Sequence, residues 1–171
     1  MTLWLDAILD ALAAQEQAYL TLFEIERAAN LKAYATFPPP QDYDPKLGAK
    51  LAFPFTCHEP GRTIWEPVTV GVMNGAVEDE QTHTVEAGVI FGLQADPPHL
   101  LIRRDAQWRN AYREFILKNL NLKKTLQNSG ANNVTVTMGD TNPVGFDFAN
   151  MQLVGVLTTL TICVRQLLPT V

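Results

Sequence analysis

The sequence predicts an α+β fold: a mostly antiparallel sheet with an N-terminal helix and a second helix packed on one face, and protruding loops. Three observations predict it. Apolar residues recur at a 3–4 spacing in two separate stretches, one at the N-terminus and one from residue 105. Alternating segments rich in β-branched residues lie between and after them. The 171 residues are 47% apolar, enough for one sizeable core, and their number fits a single α+β domain spanning 1–171.

Residues 3 to 28 read as the first helix. Leu5, Ile8, Leu9, Leu12, Glu16, Tyr19, Leu20 and Phe23 form its stripe, with Glu16 as the one polar lapse. Thr2 can cap the start and Asn30 can end it. Tyr19 to Ile25 also alternates, which marks residue 18 as a point where the helix can break. Leu31 to Ala35 is a short extended piece. The Pro-rich connector 37–45 follows, and three consecutive prolines (Pro38, Pro39, Pro40) make it a stiff polyproline-like segment rather than helix or central strand.

Residues 49–57 and 63–72 read as two strands, and Pro67 in the second marks an edge or a bulge. Residues 73–83 read as a polar, acidic loop with Glu78, Asp79 and Glu80 at its tip. From Thr84 to Gln94 the chain alternates again, with Val85, Ala87, Val89, Phe91 and Leu93 on one face. Gly88 and Gly92 fall on the other, where something approaches closely, and Asp96-Pro97-Pro98 ends the strand. The second helix runs from 105 to 122, capped by Asp105, with Trp108, Ala111, Tyr112, Phe115, Ile116 and Leu120 as its stripe. Val134 to Met138 is a strand, 139–150 a loop, and Leu153 to Arg165 the closing strand. The second helix crosses between the strands at 84–94 and 134–138, which buries its stripe on the sheet.

Several chemistries are missing from this sequence. Ser129 is the only serine, against sixteen threonines, and it sits in turn chemistry between Asn128 and Gly130, so no nucleophile elbow exists. No C-x-x-C, H-E-x-x-H or phosphate-loop pattern occurs, and nothing implies a cofactor. Cys57-His58-Glu59 is the most metal-like triplet, but neighbours on a strand point to opposite faces and do not chelate together easily. Two cysteines, Cys57 and Cys163, make no disulfide framework; each reads as a buried thiol in a reduced, cytosolic setting. Leu153 to Val164, the longest apolar run, falls short of the ~18 residues of a membrane helix, and no membrane partner is expected. The first residues lack the basic stretch of a signal peptide.

Charge is more informative. The net charge is −5, which argues against a basic nucleic-acid binder. Yet residues 103–124 hold seven basic side chains (Arg103, Arg104, Arg109, Arg113, Lys118, Lys123, Lys124) and two acids, so the remainder carries −10. This segregation reads either as an ordinary solvated helix face or as a basic helix complementary to an acidic surface of a second copy or another partner.

The layout resembles the tail terminator proteins of long-tailed bacteriophages. The resemblance rests on order and spacing. Its pieces are Ile8-Leu9-Asp10-Ala11-Leu12, Leu31-Lys32-Ala33-Tyr34 with Phe37-Pro38-Pro39, and Leu51-Ala52-Phe53-Pro54-Phe55. The strand at 84–94, Ala106-Gln107-Trp108-Arg109-Asn110-Ala111-Tyr112 and Leu160-Thr161-Ile162-Cys163-Val164 complete it. What the resemblance implies is a structural viral protein of the neck, not an enzyme. Such a protein forms a homo-hexameric ring on the head-proximal end of the tail tube, stops tube growth and joins the tail to the head–tail connector or stopper protein. Its partners would be itself, the tail tube protein and that connector, with DNA only as passing cargo. It would reside in the virion after assembly in the host cytoplasm. On this reading Arg103, Arg104, Arg109 and Arg113 are placed at a subunit interface, and Glu78, Asp79 and Glu80 in a loop facing the lumen or an adjacent ring. Two alternatives remain open: another head–tail connector protein, or a small hydrolase using a carboxylate with His58 or His83 as base. A monomeric adaptor presenting Phe37-Pro38-Pro39-Pro40 as a ligand is a third.

Overall fold

In a computed structural model, residues 4–67 and 76–169 are described. Their elements are α1 (Trp4–Tyr19), β1 (Lys32–Ala33), α2 (Pro40–Tyr43), β2 (Phe55–Pro67), β3 (Ala76–Leu93), α3 (Pro98–Lys118), α4 (Leu122–Gln127), β4 (Asn133–Phe148) and β5 (Met151–Pro169). The five strands form one sheet in the order β1-β2-β3-β5-β4. β1 pairs parallel with β2 and every other pairing is antiparallel. The predicted α+β class, with the helices on one face of a mostly antiparallel sheet, is what the chain adopts.

The main core lies between that face and the helices. Trp4, Ile8 and Leu12 from α1 and Trp108, Tyr112 and Phe115 from α3 close over Val85, Ala87, Val89, Val156, Leu160 and Ile162 of the sheet. Each of these side chains is essentially withheld from water, and Trp108, Tyr112 and Phe115 follow the stripe expected of α3. The crossover from β3 through α3 to β4 is also as expected, with β5 inserted between the two strands. A second, smaller cluster sits on the opposite, outer face, where Phe55, Ile90 and Leu153 pack with Phe53, Phe146, Phe148 and Met151. Phe37 stacks on Phe148 at 5.5 Å, and Tyr43 meets the same ring edge-on at 4.8 Å. The connector after β1 therefore wraps the sheet edge and covers part of the outer face.

Several boundaries differ from expectation, each for a physical reason. α1 ends at Tyr19, one residue beyond the flagged break; two single 3-10 turns (Leu20–Leu22, Ala28–Asn30) follow, separated by extended Phe23 and left-handed Arg27 at φ 65°. Asn30 lies in the second of these turns and does not cap a helix; Thr2 lies outside the described residues. The connector contains the short helix α2 because Pro40 opens it, and a first-turn proline has no N–H to lose. Residues 49–54 are not strand. β2 instead runs unbroken through Pro60-Gly61, whose register shift between Pro60 and Thr63 absorbs the proline as a bulge. β2 lies at the sheet edge beyond its two-residue pairing with β1, as Pro67 predicted. α3 starts seven residues before Asp105, again with a proline in its first turn, and α4 is separate, with the Asn121 side chain accepting from Lys124 N.

Neither proposed loop is a loop over its described length. Met73–Gly75 lie outside the described residues, but Ala76–His83 belong to β3; all of them pair with β5, and Asp79–His83 pair with β2 as well. The stretch 139–150 is also strand up to Phe148; Gly139-Asp140 is a bulge, and only Ala149 and Asn150, both at positive φ, make the hairpin turn. A second bulge lies in β3 between Ile90 and Gly92. It turns Gly92 to the helix side, where a Cβ would stand 2.6 Å from Asp96 Oδ2 and 3.3 Å from Leu101. It also sends Leu93 to the outer cluster instead of the helix face. Gly88 makes only ordinary contacts on the outer face. No helix among the described residues is long and apolar enough to cross a membrane.

Candidate functional site

α3 presents its basic residues unequally. A ridge spaced at helical intervals, Arg103, Ala106, Asn110, Arg113 and Leu117, is exposed along its length. Arg103 and Arg113 make no ion pair among the described residues. Arg104 does not belong to that ridge. Its guanidinium, 11% exposed, reaches Asp96 at 3.3 Å and Glu26 at 3.2 Å, tying α3 to the turn after β3 and to the segment after α1. Arg109 is paired with Asp105 one turn earlier at 2.6 Å, and Lys118 with Glu114 at 2.9 Å. Of the four arginines placed at an interface from sequence, two are therefore occupied within the chain and two are free.

The acidic triplet is split. Alternation along β3 sends Glu78 and Glu80 to the outer face and Asp79 to the helix side. There Asp79 Oδ2 accepts from the Gln81 and Gln166 side-chain amides at 2.9 and 3.0 Å. Glu80 is hydrogen-bonded to Arg165. Two further glutamates, Glu86 and the Glu59 of the metal-like triplet, share the outer face. Glu86 on β3 accepts from Thr159 Oγ1 at 3.0 Å, and Glu59 on β2 lies directly opposite it in register. Like charges directly opposed across strands disfavour the pairing, and no cation within the described chain neutralises either one. Pairing order across a sheet is invisible in a linear sequence, which is why this pair was missed.

The triplet Cys57-His58-Glu59 alternates faces as expected. Cys57 and Glu59 point outward, while His58 enters the core. There His58 Nδ1 donates to the Tyr34 carbonyl at 2.9 Å, and its Nε2 stands 3.0 Å from Glu16 Oε1. The Tyr112 hydroxyl donates to the same oxygen at 2.6 Å. Glu16 and His58 side chains are both 0% exposed. Burial lowers the His58 pKa, but the Glu16 carboxylate and the Tyr34 and Ala35 carbonyls outweigh it, so the imidazole titrates above its ordinary value. This network joins α1, β2 and α3, and its signal was the polar lapse of Glu16 in an otherwise apolar stripe.

The two histidines weighed as bases and the Cys57 thiol are all buried. His58 is sealed from solvent. His83 is buried beside Thr63 Oγ1 at 3.1 Å, and burial lowers its pKa. Burial first, then the Glu16 and Glu59 carboxylates, push the Cys57 thiol up to about 12, so it stays protonated. Cys163 is only half-buried, and both thiols are free. No cluster of three metal-binding side chains occurs among the described residues.

The arrangement thus offers two surfaces of opposite charge on opposite sides of one sheet: a basic ridge on the helix layer and a carboxylate-rich outer face. No known protein-family profile matches this chain, and no curated protein matches it in sequence.

Proposed function

We propose that the chain is a ring-forming structural protein of the tail terminator kind. It caps the head-proximal end of a phage tail tube, halts tube growth and presents a surface to the head–tail connector. The observation that carries this reading is the placement of opposite charges on opposite layers. A head-to-tail ring needs two different, complementary patches on each subunit, and the basic ridge of α3 on one side with the carboxylates of the outer face on the other can supply both. Arg103 and Arg113, free of internal partners, are the interface arginines; Arg104 and Arg109 hold the subunit together.

Glu78 and Glu80 stand on the same outer face toward the far end of β3. A ring lumen lined by them repels DNA phosphates and keeps passage free of sticking. His58 and His83, the two histidines weighed as bases, are both buried, and no cluster of three metal-binding side chains occurs among the described residues, which favours a structural role over the hydrolase alternative.

The test is tube capping. Tail tube protein polymerised with this chain gives shorter tubes with extra density at one end. An unchanged length distribution and bare tube ends contradict the proposal.

A further inference from the structure

The outer face carries a socket. A cavity of about 170 Å³ lies where the connector meets the sheet, with Phe37, Ile90, Phe146 and Leu157 around it and Gly88 leaving its floor without a side chain. Glu59 and Glu86 share its lining. The volume is below the ~300 Å³ at which small-molecule sites begin, and it suits a single side chain. Apolar walls beside two carboxylates match one chemistry: a long cationic side chain that lays its stem on apolar surface and its charge on the acids. Within the described chain nothing of that kind fills it, and the opposed carboxylates are left without a cation.

We infer that this socket receives Arg113 of a second copy of the chain, an inference that rests on the ring reading and names its contact. Two complementarities select that occupant. Arg113 is exposed and unpaired, and its guanidinium can serve both carboxylates at once. One helical turn further, Leu117 is 67% exposed, and the socket's rim offers Phe37, itself 39% exposed. Arginine meets carboxylates while leucine meets an aromatic ring. Ridge and socket lie on opposite sides of the sheet, so the contact is head-to-tail and leaves each copy with one free ridge and one free socket until the ring closes.

The experiment is sedimentation velocity over a concentration series on the full chain, with thermal melts as a fold control. Arg113→Glu or Glu59→Arg alone weakens self-association about thirtyfold or more, and the two together restore it. Gly88→Val plugs the socket and has the same effect, while Gly88→Ala, whose methyl meets only ordinary contacts at 3.6–3.7 Å, fills less of it and weakens association less; the melts show whether either variant keeps the fold. Rings that persist in both single charge reversals and in Gly88→Val overturn the socket and leave the ring reading standing. A wild-type chain that stays monomeric at every concentration, alone and with tail tubes, overturns both.

Discussion

Glu16 and His58 form the one ion pair buried in the main core among the described residues, and removing half of it has a calculable effect. Both side chains are fully enclosed, and His58 Nδ1 already donates to the Tyr34 carbonyl, so its Nε2 faces the Glu16 carboxylate as a donor when the ring is charged. His58→Leu leaves a buried carboxylate whose remaining partner is the Tyr112 hydroxyl; its Oε2 already has none. Stripping one member of a buried pair costs about 3–5 kcal/mol. For a chain of 171 residues that lowers the melting temperature by roughly 6–20 °C. Replacing both, as Glu16→Leu with His58→Leu, removes the unpaired charge and recovers much of the loss. Acidity supplies an independent check. The folded His58 pKa is raised, so the pair's contribution is fully present below the unfolded value near 6.5 and disappears as pH rises through the folded value. Urea denaturation at pH 6 and pH 9 therefore shows a loss on the alkaline side in wild type, and a smaller one in the double variant. A His58→Leu cost under about 1 kcal/mol, or equal alkaline losses in both proteins, refutes the assignment of an ion pair.

Other expectations follow from packing and backbone geometry. Gly155→Ala drives a methyl into the Val89 carbonyl and the Ile90 side chain at the β3 bulge, and costs about 1–3 kcal/mol in chemical denaturation; a neutral result contradicts the bulge. Trp108→Ala empties the centre of the helix–sheet core and costs about 3–5 kcal/mol by the same assay. Asn121→Ala removes the side-chain cap of α4 and costs about 1 kcal/mol, a drop absent in Asn121→Asp. Arg103→Glu with Arg113→Glu abolishes rings while leaving the melt unchanged, since neither arginine has an internal partner; Arg104→Glu instead lowers the melt by breaking its ties to Asp96 and Glu26.

Much of the fold was legible because periodicity survives in a linear sequence. The Trp108–Phe115 stripe, the alternation of Val85, Ala87 and Val89, and the β-branched run into Val164 all landed where their spacing placed them. Punctuation residues misled where tertiary context absorbed them. Pro60-Gly61 and Gly139-Asp140 read as breaks but are bulges within continuous strands, because a bulge accommodates one irregular residue without ending the pairing. Acidic Glu78-Asp79-Glu80 read as a loop tip, since its alternation between faces is visible only once β5 lies alongside. The candidate site was half legible. Charge segregation identified α3, but which arginines are free depends on Asp96, Glu26 and Asp105, and only Asp105 stands at a helical spacing from its arginine. Opposition of Glu59 and Glu86 follows from strand register and had no sequence signal.

The central claim is that these chains assemble head-to-tail into a closed ring. Negative-stain imaging of the purified protein over a concentration series, with solution mass measured on the same samples, tests it most directly. The account predicts open-centred rings whose mass is a whole multiple of 19.0 kDa and which dissolve at high salt, as an electrostatic contact requires. A monomer at every concentration and salt, with and without tail tubes, contradicts it.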